Sequence, residues 1–382
     1  MGIAPRHQSS DTNHFWISQP EQQANFFSDP DGRFTIVGSS NVDARQYVKL
    51  DAYSAAAAFV DGKFDVHGDL LAAIRFYSAQ PHSMLRQVLY SVLARLEHLR
   101  IYSLLGTRHE AAKNIQYHYD RSNEFYAQFL DSRMIYSAAY FDTPDDSLDR
   151  AQQQKLEMIC RDLVLRPGDM FLDVGCGWGG LVIHAAEHFG VQAHGCTLAE
   201  QQLAWAKREI ERRGLTEKVT ACLCDYRDLR GVYNKIASVG MFEHVGKGRL
   251  AGYFRKMYEL LPPGGLFLNR GVVRPQGVAD GPETLFVQRT VFPGGELVHL
   301  DDVLREGERA GFEAVGLRDL RTHYALTCKA WVKNLQANAR TCQALVGERT
   351  YRTWLLYLAA SAVGFEDGRT SAAQVLFMKP RD

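Results

Sequence analysis

At 382 residues the chain is long enough for two to three domains of roughly 150 residues each. Its 46% hydrophobic and 23% charged residues are those of an ordinary globular protein, and 44 Lys+Arg cancel 44 Asp+Glu, so no bulk basicity favours nucleic acid. The sequence lacks a membrane-spanning run and an apolar signal core. Its seven cysteines, odd in number and all after residue 159, suit reduced thiols, so a cytoplasmic multi-domain enzyme is expected.

In chain order, residues 1–30 are polar and aperiodic and read as a loose arm. Residues 31–80 read as a small α+β domain, with a strand at Phe34-Thr-Ile-Val-Gly38 and helices from Ala52 to Val60 and from Leu70 to Tyr77. Residues 81–115 form a helical linker, in which Leu85, Leu89, Val92, Leu96 and Leu99 make an apolar stripe expected to face the core.

From 116 to 382 strands alternate with helices. Strands are expected at Asp169 to Val174, Val191 to Cys196, Val219 to Cys224, Lys235 to Val239 and Leu266 to Leu268. Helices are expected at Gln153 to Leu163, Gly179 to Phe189, Glu200 to Arg213 and Arg249 to Leu261. This alternation implies an α/β, Rossmann-like domain: a mostly parallel sheet with helices on both faces.

The strongest local signal is Phe171-Leu-Asp-Val-Gly-Cys-Gly-Trp-Gly-Gly180, a glycine loop between a strand and a helix. No Lys-Ser/Thr follows Gly180, which excludes a phosphate-binding P-loop. The second strand ends at Cys196-Thr197 rather than at an acidic residue, which does not suit a dinucleotide ribose. The loop resembles the first motif of the S-adenosylmethionine (SAM) methyltransferases.

The wider pattern resembles the cyclopropane fatty acid synthases, including the mycolic acid cyclopropane synthases. The matching stretches are Tyr117-His-Tyr-Asp-Arg-Ser-Asn123, Met134-Ile-Tyr-Ser-Ala-Ala-Tyr140, Lys155-Leu-Glu-Met-Ile159, Asp225-Tyr-Arg-Asp-Leu229 and Ser238-Val-Gly-Met-Phe-Glu-His-Val-Gly246. The resemblance implies a SAM site in which Tyr136 and Ser137 close over the cofactor and Asp173, Gly175 and Gly177 lie beneath its methionine part. It places Thr197 and Gln202 near the ribose and methionine, and Tyr226 and Arg227 beside the adenine. It further implies methyl transfer to the alkene of an unsaturated acyl chain, giving a cyclopropane or a methyl or methylene branch, in a dry pocket. Phe125, Phe242, Phe267, Phe286 and Phe292 are candidate walls, and His118 a candidate border.

In the family a bound bicarbonate takes the proton, held by a Glu, a His, a Tyr and backbone groups. Glu243 and Tyr324 match the Glu and the Tyr. Ala138 stands where the family has Cys, Arg270 where it has His, and Ser361 where a Cys is sometimes assigned. Arg270 either holds bicarbonate by charge-assisted bonds or pairs with Glu243 and fills the anion's place. The second fits all three changes together and makes bicarbonate doubtful. The expected catalytic set is therefore Glu243, Tyr324 and Arg270.

The expected partner is an unsaturated acyl lipid or another apolar alkene, with peripheral contact to the inner membrane face and a homo-oligomer left open. Rival readings are a small terpenoid, polyketide or amine substrate, and a SAM- or lipid-binding protein without turnover. His184 and His188, four apart on a helix expected to be solvated, and Cys222 and Cys224, on a strand expected to be core, are not expected to bind metal.

Overall fold

The computed structural model describes residues 26–39, 43–80, 89–94, 96, 122–292 and 296–381. Its first unit is a three-stranded antiparallel sheet, β1 (Phe26–Ser28), β2 (Phe34–Gly38) and β3 (Phe64–Gly68), carrying helices Ala52–Val60 and Leu70–Ser78. Asp51 and Asp69 start these two helices by accepting the backbone N–H groups of Ser54 and of Leu71 and Ala72. Residues 26–28, expected to belong to a loose arm, are strand. Phe26–Ser28 is an edge strand, because Phe26, Phe27 and Ser28 pair with Val37, Ile36 and Thr35 across the intervening turn.

The second unit is a seven-stranded sheet made of β4 (Met170–Val174), β5 (Gln192–Thr197), β6 (Val219–Leu223), β7 (Lys235–Val239), β8 (Leu266–Val273), β9 (Glu313–Asp319) and β10 (Ser371–Met378). The spatial order is β6-β5-β4-β7-β8-β10-β9, parallel from β6 to β8, with β10 antiparallel to both its neighbours. After β4 the chain runs to β5 on one side and then crosses to β7 on the other. That reversal opens a crevice at the carboxyl ends of β4 and β7, the usual ligand position in open α/β sheets. The Rossmann-like reading thus holds.

The helix before β4 begins five residues earlier than the apolar pattern indicates, at Leu148, because the Ser147 hydroxyl accepts the Arg150 N–H. Beyond β8 three helices unread in the sequence, Pro282–Thr290, Arg321–Ala337 and Glu348–Glu366, bridge the two units. One hydrophobic core runs from Phe34, Phe59 and Phe64 through Trp331 and Trp354 to Phe125 and Trp178. Ion pairs Arg349–Asp61, Arg352–Asp65 and Arg75–Glu366 reinforce this junction.

In the linker, Leu85 and Leu99 lie outside the described residues. Leu89, Val92 and Leu96 are each about half exposed (54%, 47% and 55%) rather than core-facing. The segment is held by its other face, where Ala94 is buried, Tyr90 donates to Asp51 and Ser91 donates to the Asp280 carbonyl.

Candidate active site

The loop after β4 is shaped by backbone conformation. Gly175, Gly177 and Gly179 all have positive φ (85°, 54° and 85°), and the N–H groups of Gly175 and Cys176 both donate to the Cys196 carbonyl, tying the loop to the end of β5. A Cβ on Gly175 would lie 2.9 Å from the Met241 side chain, so the turn leaves no room for one.

This loop forms one side of a cavity of about 160 Å³. All nine residues expected to meet the cofactor line it: Tyr136, Ser137, Asp173, Gly175, Gly177, Thr197, Gln202, Tyr226 and Arg227. Thr197 donates its hydroxyl to Gln202, and Arg227 is fixed by Asp225, which receives its Nε at 2.8 Å. Asp173 is buried, and its Oδ1 has no partner among the described residues. Burial pushes its carboxyl up to about 7 while Lys155 opposes that rise. A cationic ligand would draw Asp173 to the carboxylate.

Lys155, His244 and Arg249 also line this cavity, although the sequence reading gave them no role there. Lys155 is buried and donates to Ser137 Oγ at 2.8 Å, with burial holding its ammonium well below its ordinary range. Both Lys155 and His244 stand inside motifs that carry the family resemblance, which is the signal that could have found them.

A second, larger cavity of about 270 Å³ lies beside the first and shares Tyr136, Gly240 and His244 with it. Glu243, Tyr324 and Ser361 line this larger cavity. Glu243 Oε1 accepts the Val272 N–H at 2.7 Å, and Oε2 has no partner among the described residues. Burial raises the Glu243 carboxyl to about 7, the Val272 bond working against it, and burial lowers His244 to about 4. Tyr324 is fixed by stacking on Phe365, with ring centroids 4.4 Å apart.

Arg270 is not where the expected ion pair requires it. It is 2% exposed, lines neither cavity, and donates Nη2 to the carbonyls of Ala138 (2.6 Å) and Ala139 (3.4 Å). The reason is strand alternation. Gly271 faces Glu243, so closely that a Cβ there would lie 2.6 Å from Oε1, and Arg270 projects from the opposite face of β8. The Glu243–Arg270 pair and a direct catalytic role for Arg270 are thereby corrected. Burial lowers the guanidinium to about 9, with Tyr324 and Asp162 opposing the drop.

Arg270 instead helps hold the segment carrying Tyr136 and Ser137. Gln152 donates to the carbonyls of Ile135 and Ser137, Thr327 accepts the Ala139 N–H, and His323 Nδ1 accepts the Phe141 N–H. Arg270→Met should leave the midpoint of the activity–pH profile in place, moving it by less than about one unit, the smallest shift expected for a paired charge. A larger upward move would restore the pair.

Among the aromatic wall candidates, Phe292 alone lines the larger cavity. Phe286 lines a neighbouring one, and Phe125, Phe242 and Phe267 are core, packed on other rings and aliphatic side chains. His118 lies outside the described residues. His184 is buried, not solvated, with Nε2 3.5 Å from Glu157. Cys222 and Cys224 are both partly buried and pack against the hydrophobic core, and Cys224, past the end of β6, also lines the smaller cavity.

The family model for mycolic acid cyclopropane synthetase matches residues 107–375. The chain belongs to the mycolic acid cyclopropane synthetase family. It is a SAM-dependent methyltransferase of the cyclopropane synthase type.

A probable fatty acid methyltransferase of Pseudomonas putida is 41% identical over 331 residues, covering 85% of this chain and 81% of that one. The sphingolipid C9-methyltransferase A of Emericella nidulans is 34% identical over 285 residues, 72% of this chain but 55% of its own length, so the chain spans about half of that relative. Among solved structures, the cyclopropane synthase MmaA2 of Mycobacterium tuberculosis superposes with a TM-score of 0.68 at 28% identity, covering 70% of this chain and 98% of that one. Mycolic acid cyclopropane synthase CmaA1, complexed with SAH and CTAB, gives 0.67 at 30% identity with the same coverage. The missing side chains at Gly175 and Gly177 and the Asp173 Oδ1, which has no partner among the described residues, fit SAM, the family's cofactor. Among the described residues no helix is long and apolar enough to cross a membrane.

Proposed function

We propose that this family member methylates the alkene of an unsaturated fatty acyl chain in a lipid, with SAM in the smaller cavity and the acyl chain in the larger. The observation that carries this reading is the junction of the two cavities at Tyr136, Gly240 and His244, with Glu243 on the acyl side. SAM supplies an electrophilic methyl group. The protein's part is to align the alkene with that methyl, to exclude water, and to accept a proton afterwards.

Glu243 is the group placed to accept it. Its Oε2 has no protein partner among the described residues, its Oε1 is anchored to Val272, and with a carboxyl near 7 it is in part a carboxylate at neutral pH. Tyr324 and Ser361 stand on the same cavity wall, where they can orient the acyl chain and the carboxylate. The relatives named for fatty acid and sphingolipid methylation support a lipid substrate.

The deciding experiment incubates the purified protein with SAM and phospholipids bearing cis-monounsaturated chains. A gain of about 14 Da in the acyl chain, one methylene equivalent, is expected. Transfer only to a small alkene or an amine, or SAM binding without any turnover, overturns the reading.

Turnover should also be indifferent to bicarbonate. The arginines lining the larger cavity, Arg274 and Arg369, are paired with Asp280 and Glu283, and His244 is neutral near pH 7. A second anion beside Glu243 would meet repulsion with no unpaired side-chain cation of this cavity, among the described residues, to offset it. Activity in carbon-dioxide-depleted buffer should match that with bicarbonate added. A clear loss that bicarbonate restores would show an anion site after all.

A further inference from the structure

A third cavity, of about 80 Å³, lies between the amino-terminal unit and the bridging helices. Its floor is Ala52, Ala55, Ala56 and Phe59 on one helix with Ala73 and Tyr77 on the next, and its roof is Phe286 and Leu356. Glu283, whose carboxylate is engaged by Arg369, is its one charged wall among the described residues. Five residues, Ile74, Glu283, Val287, Tyr357 and Ala360, line both this cavity and the larger active-site cavity. The two spaces are thus separated by a single thickness of side chains, mostly apolar.

We propose that the amino-terminal unit forms the far end of the substrate site, taking the methyl-terminal segment of a long acyl chain, and so sets how much chain beyond the double bond is accepted. This rests on the acyl reading above for the nature of the ligand.

Three observations support it. The cavity adjoins the one that holds Glu243 and shares Ile74 and Tyr357 with it, so a chain entering there reaches it by displacing those side chains. Its walls offer small alanines and aromatic faces, which suit an unbranched hydrocarbon and nothing that needs a polar anchor. The junction is fixed rather than loose, since Arg352 bonds the Phe59 and Phe64 carbonyls as well as Asp65, and Arg289 donates to Tyr53. The family match begins at residue 107, so this cavity is built largely from sequence outside it.

Two measurements test the proposal. In the first, a phospholipid carrying a photoreactive diazirine at the methyl end of an unsaturated chain is cross-linked to the full-length protein. Labelling within residues 52–78 or at the roof residues Phe286 and Leu356 is expected, and labelling confined to residues of the larger cavity alone, such as Phe292, Tyr324 and Ser361, overturns the proposal whether or not the lipid is turned over. In the second, Ala56→Phe is compared with the unmodified enzyme on phospholipids sharing one double-bond position but differing in chain length beyond it. The ratio of long-chain to short-chain turnover should fall by about tenfold or more, the usual penalty for excluding methylenes from a shaped pocket.

Ile74→Ala, which widens the passage, should move the ratio the other way and decides the matter if Ala56→Phe does not fold, as judged by its SAM affinity. An unchanged ratio in folded variants overturns the proposal. Absence of turnover on every olefinic phospholipid by the unmodified enzyme refutes the acyl-methylation reading instead, and the cross-linking result then still decides the role of this cavity.

Discussion

Replacing Glu243 with Gln should lower the single-turnover rate by at least about 10²-fold, the scale of a positioned acid–base group, while SAM affinity stays within experimental error. The two effects separate because Glu243 lines the larger cavity and not the smaller one beside the glycine loop. Gln keeps the shape and can still accept the Val272 N–H through its carbonyl oxygen, so the loss reports proton acceptance rather than collapse.

The sign of the pH dependence follows from burial, which raises the Glu243 carboxyl to about 7. The proton-accepting form dominates above that value, so the rate should climb as pH rises through about 7 and then level off. In Glu243→Gln that climb should vanish. A variant with a near-normal rate, or an unmodified enzyme whose rate falls across the same interval, would remove Glu243 from the chemistry.

The second large effect is on the cofactor. Gly175→Val and Gly177→Val should each weaken SAM binding by about 10²-fold or more in calorimetric titration. At Gly175 a β-branched residue must adopt φ near 85° and drive its Cβ against Met241. A strained backbone of this kind costs about 1–3 kcal/mol before any clash is counted, and about 1.4 kcal/mol is tenfold in affinity. At Gly177 the nearest protein atom to an added Cβ is Gln202 Nε2 at 4.0 Å, so strain and the volume taken from the cavity do the damage. Gly177→Val separates ligand exclusion from protein clash: unchanged affinity in a folded variant would move the cofactor elsewhere.

Features local in the chain could be read from its residues. A strand, a glycine loop and a helix follow one another within twenty residues. The required backbone turn, the loss of side chains at Gly175 and Gly177 and the approach of a ligand are therefore written in consecutive letters. The strand–helix alternation similarly implied the parallel half of the sheet, since parallel neighbours need crossovers. The antiparallel β9 and β10 were not legible: β9 is an exposed edge strand, and β10 lies nearly a hundred residues from its partner β8.

Which face of an element meets which space, by contrast, depends on packing between distant segments. Arg270 and Glu243 read as partners because each stands where the resemblance places an active-site group, yet one residue of alternation along β8 turns Gly271 toward Glu243 and Arg270 toward the Ala138 carbonyl. The phenylalanines misled for a related reason. Burial selects large apolar side chains equally for a solid core and for a cavity wall, so composition cannot say that Phe267 packs on Phe312 and Phe377 while Phe292 borders the larger cavity. That space draws its walls from residues as distant as Ile74, Tyr136, Glu243, Tyr324 and Ser361, and only the packing of Arg321–Ala337 and Glu348–Glu366 against both units brings them to one volume.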